Sequence, residues 1–84
     1  MIGLIKEKFL QLPLALKHKV VEEKGNYLTR RRHLTHNIEL FQLANFYVEV
    51  GRSMATNQIY WIECRDNEFV FDKYLSKIEV EELF

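Results

Sequence analysis

The stretch YLTRRRHLTH, residues 27–36, sets three consecutive arginines between an aromatic ring and two histidines. Guanidinium groups bind phosphates in bidentate fashion and rings stack on bases, so Tyr27, Arg30, Arg31, Arg32 and His33 form a candidate nucleic-acid contact. The net charge of zero weighs against it, since a dedicated nucleic-acid domain is strongly basic and carries a recognisable aromatic and glycine run. His33 and His36 have the spacing of a helical metal-ligand pair, but across a strand and a turn that spacing points them different ways. A zinc site also needs three or four donors, and no second cluster supplies them. Cys64, the single cysteine, falls in an alternating apolar stretch, where a free thiol behaves as a small buried hydrophobe. Glu39, Glu49 and Glu63 could form an acid/base set, although glutamates on a half-exposed sheet face usually serve solubility. The glycines at 3, 25 and 51 stand apart, so no phosphate cradle is indicated. The expectation is a protein without catalytic residues, metal ligands or cofactor.

The elements that carry these residues follow from periodicity. Leu4, Ile5, Phe9 and Leu12 keep the spacing of one helical face. Pro13 interrupts them and suits the start of a second helical piece, with Leu16 and Val20 turned inward and Gly25 as its stop; a kinked helical hairpin and one bent helix both fit. His18, between two lysines, is expected in solvent. After Gly25 the period becomes two. Residues 27–34, 38–43, 46–50 and 59–64 read as strands, separated by turn signals at Thr35 to Asn37, Gly51 to Asn57, and Asp66 with Asn67. Short connections favour an antiparallel meander. Asp72 is a plausible N-cap for a closing helix with Leu75 and Ile78 at helical spacing. The fold class is α+β: an N-terminal helical segment, an antiparallel meander of about four strands and a short C-terminal helix, in one small domain spanning 1–84.

Strand geometry assigns the arginines a structural task. Alternation puts Arg30 and Arg32 on one face and Arg31 on the other, so the strand belongs at the sheet periphery, where positive charge blocks edge-to-edge pairing. An arginine there can pair with Glu39 on the next strand. If Ile38, Leu40, Phe46, Val48, Val50, Tyr60 and Ile62 face the helices, the opposite face gathers the three glutamates and Leu43 with Phe41, Tyr47, Ile59 and Trp61. Such a face is too apolar for water, and Phe41, Tyr47, Ile59 and Trp61 are the candidate partner-binding set. The rival occupant of that face is the tail, through Val80, Leu83 and Phe84.

Composition bounds the rest. A chain of 84 residues buries a smaller fraction of its surface than a large one, but with 48% hydrophobic residues it can build a core without metal or disulfide. Residues 1–36 hold 8 Lys/Arg against 3 Asp/Glu, a balance of +5, and residues 37–84 hold 4 against 9, a balance of −5. Folding brings the halves close enough for mutual neutralisation. The lone cysteine suits a cytoplasmic location. Charges at Lys6, Glu7 and Lys8 break up any export signal, and no run is long enough to span a membrane.

NFYVEV at 45–50, NQIYWI at 57–62 and DKYLSKI at 72–78, with a GNYL turn after the first helical segment, resemble a pattern in short uncharacterised bacterial proteins of about this length. The resemblance implies a small cytoplasmic α+β protein of unknown function and assigns no site residue. The leading expectation is a non-enzymatic interaction module, a homo-oligomer or the binder of a protein partner, working through the aromatic sheet face. Nucleic-acid binding by the Tyr27 to His36 strand is the alternative, followed by a small ligand-binding protein or enzyme.

Overall fold

The computed structural model describes residues 5–75. Helix α1, Lys6–Leu10, and helix α2, Leu14–Lys24, precede strands β1, Asn26–His33; β2, His36–Leu43; β3, Phe46–Ser53; and β4, Ile59–Arg65. Helix α3, Asn67–Val70, and a π-helical turn, Phe71–Leu75, close the described chain. The strands form one antiparallel sheet in the order β1-β2-β3-β4, the meander that the short connections imply. No described helix is long and apolar enough to cross a membrane.

Pro13 sits at the N-cap of α2 with φ −64°, and its carbonyl accepts from Lys17 N at 2.9 Å. The contact side of α2 is made by its later turns. Val21 is buried, Val20 packs beside it and Lys17 reaches over the Phe9 ring, while Leu16, expected inward, is exposed. Gly25 ends the helix in an extended conformation, φ −82°, rather than a left-handed one. Glycine is needed there for space, since a Cβ would stand 2.7 Å from the Val21 carbonyl oxygen.

Two-residue turns fix the strand register. Leu34 and Thr35 join β1 to β2, which starts at His36, earlier than the turn signals suggest. Ala44 and Asn45 join β2 to β3, so that Leu43 pairs with Phe46. Leu34 and Ala44 both take φ 55°, a left-handed start that fits a type II′ hairpin and matches the twist of the strands. Strand β3 continues past Val50 to Ser53, whose Oγ accepts from Ala55 N and Thr56 N and so begins the next turn.

Cross-strand partners share a face, and the register therefore corrects the face assignment. Phe41 lies opposite Val48 and Leu43 opposite Phe46, whereas Ile38 lies opposite Gly51 and Leu40 opposite Glu49. The helix-side core is Phe9, Val21, Leu43, Phe46, Val48, Val50 and Ile62, with Phe41, Ile59 and Cys64 packed against it. Each such large side chain contributes about 1.5–3 kcal/mol by leaving water. Ile38 and Leu40 are also buried, but on the other face. Both faces are thus apolar, and α3 lies against β3 on the second one.

Each edge strand carries a bulge. One step on β2, from Phe41 to Leu40, spans two on β1, leaving Leu28 extra; one step on β3, from Gly51 to Arg52, spans two on β4, leaving Tyr60 extra. Tyr60, expected to face the helices, is exposed and meets the His36 ring at 5.3 Å. The closing helix starts at Asn67, with Asp66 as N-cap accepting from Phe69 N at 2.8 Å, rather than at Asp72. Ile78, Val80, Leu83 and Phe84 lie outside the described residues.

Candidate functional site

Glu49 has 0% of its surface exposed, in the middle of β3 on the second face. Arg31 Nε donates to its Oε2 at 3.0 Å and Arg31 Nη2 to Oε1 at 3.4 Å; Arg65 Nε donates to Oε1 at 2.9 Å; the Tyr74 hydroxyl donates to Oε2. An ionised carboxylate offers about four acceptor positions, and these four bonds fill them. Arg65 also reaches Glu63 Oε1 through Nη1 at 2.8 Å. The guanidinium of Arg65 stands 4.5 Å from the Phe69 ring centre and 5.7 Å from that of Trp61; Arg31 stands 5.9 Å from Tyr74 and 6.0 Å from Phe69. Edge strand, inner strand, opposite edge and closing helix therefore meet on one carboxylate.

Burial alone would raise the Glu49 pKa, but the hydrogen bonds from Arg31, Tyr74 and Arg65 outweigh it and hold the carboxyl below its usual range. Burial and the bond to that carboxylate push the Tyr74 phenol up. For Arg31 the opposing influence of burial is overcome by Glu49, and its pKa rises. Glu49, Tyr74 and Arg31 thus stay in their bonding states near neutral pH, and the Glu49 carboxylate has no vacant acceptor for a substrate proton.

Two expected groupings change. Phe41, Tyr47, Ile59 and Trp61 do not share a face: Phe41 and Ile59 pack on the helix-side core, while Tyr47 and Trp61 lie on the Glu49 face. The β4 bulge at Tyr60 separates Ile59 from Trp61, and the two-residue turn at Ala44 and Asn45 puts Phe41 on the face of Val48. Likewise Glu39 is on the helix side, bonded to Arg52 Nε at 3.0 Å instead of to an arginine of β1. Trp61 lies on Gly51, where a Cβ would come within 2.3 Å of its ring. Tyr47 lines a groove of about 290 Å³ with Asn67, Val70 and Phe71. Phe71 is 59% exposed. A larger, open depression of about 760 Å³ lies beside Lys6, Glu7, Arg65, Asp66 and Glu68, where mixed charge favours no ligand class.

The basic strand is divided as alternation requires. Arg31 is withdrawn into the Glu49 cluster, while Arg30 and Arg32 are exposed. His33 and His36 are cross-strand partners at the turn and so share a face, contrary to expectation. Even so, the described residues bring together no group of three potential metal donors. His18, expected in solvent, is half-buried with Nε2 3.4 Å from Glu22 Oε2. Cys64 packs against the core, and burial pushes its thiol up despite Lys6, Lys17 and Arg65 nearby.

The role of Glu49 was missed by sequence reasoning. A glutamate between two valines in an alternating strand has the same local pattern as a solvated one. Its signal is long-range, in Arg31 and Arg65. Comparison of the chain with protein-family models, curated proteins and solved structures gives no match.

Proposed function

We propose that this chain is a non-enzymatic cytoplasmic interaction module that associates with a second copy of itself through the second sheet face. The observation that carries the reading is an exposed ring that forms the wall of a hollow: Phe71, largely exposed among the described residues, lines one groove with Tyr47, Asn67 and Val70. A two-fold interface uses the same patch on both subunits and needs it to be self-complementary. A ring of one copy entering the groove of the other meets that condition. Tyrosine and phenylalanine are also enriched at interface centres.

The charges support an interaction role over a chemical one. The cluster around Glu49 is saturated by its own side chains, and Arg52 is engaged with Glu39. A general base needs an open acceptor facing substrate, which Glu49 lacks. A zero net charge keeps two copies from repelling each other. The test is a dilution series followed by backbone NMR. Concentration-dependent shifts centred on Tyr47, Asn67, Val70 and Phe71 are expected, and a spectrum that does not change with concentration contradicts the reading.

A further inference from the structure

We infer that the outer part of β1 on the helix side binds single-stranded nucleic acid through Tyr27, Arg30 and Arg32. Strict alternation would place Tyr27 with Arg31. The extra residue Leu28 resets the phase: Tyr27 pairs with Phe41, Arg30 with Glu39 and Arg32 with Asn37, all on one face. The bulge thus aligns an aromatic ring with two guanidinium groups. Arg31, the one arginine of the three that faces away, is the one that Glu49 holds.

The three side chains are available. Tyr27 is 53% exposed while its ring is steadied by an edge contact with Phe41 at 5.6 Å. Arg30 and Arg32 are exposed and lie two residues apart, about 7 Å along the strand, a separation over which arginines can reach successive phosphates. The acidic neighbour of Arg30 is already neutralised, because Glu39 is bonded to Arg52. Guanidinium forks suit phosphate oxygens, and a half-open tyrosine suits a base. An acidic peptide fits this edge less well. Extended peptides bind by adding a strand, and the bulge at Leu28 interrupts the regular row of main-chain groups they would use. This site is separate from the groove at Phe71, which lies on the opposite face, so either can fail alone.

The experiment titrates the full chain against labelled single-stranded homopolymer oligonucleotides, with polyphosphate and an acidic peptide as competitors, at several salt concentrations. Two phosphate contacts predict that log K falls against log salt with a slope of about −1.4, and that Arg30→Gln or Arg32→Gln each removes about 0.7 of it. Tyr27→Ala should weaken binding about tenfold, the size of one lost base stack, with the slope unchanged. NMR shifts of the unaltered chain on adding oligonucleotide should centre on Tyr27, Arg30 and Arg32, which locates the site without relying on any variant. Absence of binding, equal binding of polyphosphate with no effect of Tyr27→Ala, preference for the acidic peptide, or shifts centred elsewhere would each overturn the inference.

Discussion

Replacing Glu49 by glutamine keeps the side chain's shape and removes its charge, leaving the mostly buried Arg31 and Arg65 without their shared counter-ion. Removing one partner of a buried pair costs about 3–5 kcal/mol, a large fraction of the roughly 5–15 kcal/mol that holds a small domain folded. Urea denaturation of Glu49→Gln should therefore show severe loss of stability. Tyr74→Phe removes one hydrogen bond to a charged acceptor and should cost about 1.5–3 kcal/mol. The cluster also predicts a pH profile. Glu49 is depressed in the folded state from its ordinary 4.5, so its stabilisation is complete above that value and is lost as pH falls through the folded pKa. Tyr74 is raised above its ordinary 10.0, so its share holds below pH 10 and is lost as pH rises beyond it toward the folded pKa. Stability measured against pH should fall at both ends, and Tyr74→Phe should flatten the alkaline limb. The same profile in Tyr74→Phe as in the unaltered chain would count against the assignment.

At the scale of elements, the hairpin turns make the sharpest forecast. Leu34 adopts φ 55° and is 82% exposed, so glycine there would relieve a left-handed strain of about 1–2 kcal/mol without loss of packing. Part of that gain is offset by the freedom glycine adds to the unfolded chain. Leu34→Gly should raise the melting temperature by several degrees, following a net gain of up to about 1 kcal/mol. Gly51→Ala should do the opposite, by about 1–3 kcal/mol, because its Cβ meets the Trp61 ring and not open space. The number, order and direction of the strands were legible in the change of period at Gly25 and in the short connections, whereas periodicity left open whether the N-terminal segment is one bent helix or two. The sheet faces were legible in principle too: two residues between Leu43 and Phe46 force those side chains together, and continuing the alternation outward puts Ile38 and Leu40 on the face away from Val48 and Val50. The bulges at Leu28 and Tyr60 were not legible, because neither position carries the glycine that often marks one. They arise from how the edge strands fit their neighbours. Asp66 was read as a turn residue when it caps a helix, a confusion inherent in a side chain that serves both tasks.

For the molecule as a whole, the sheet has two apolar faces, and the described residues cover them unequally, with α1 and α2 on one side and the four-residue α3 with its π-helical turn on the other. That asymmetry leaves Phe71 and the Tyr47 groove at the surface of the second side. Neither the net charge of zero nor the guarded edges oppose a face-to-face pairing. Arg30 and Arg32 with the Leu28 bulge discourage strand addition at β1, and the Tyr60 bulge does the same at β4. Association should therefore run through the face and leave the sheet edges free. The most direct measurement is the mass in solution by light scattering during size-exclusion chromatography, for the unaltered chain and for Phe71→Ser. A dimer that Phe71→Ser converts to a monomer with the same circular dichroism is the predicted result. An unaltered chain that stays monomeric at high concentration, or a dimer indifferent to Phe71→Ser, would contradict the proposal.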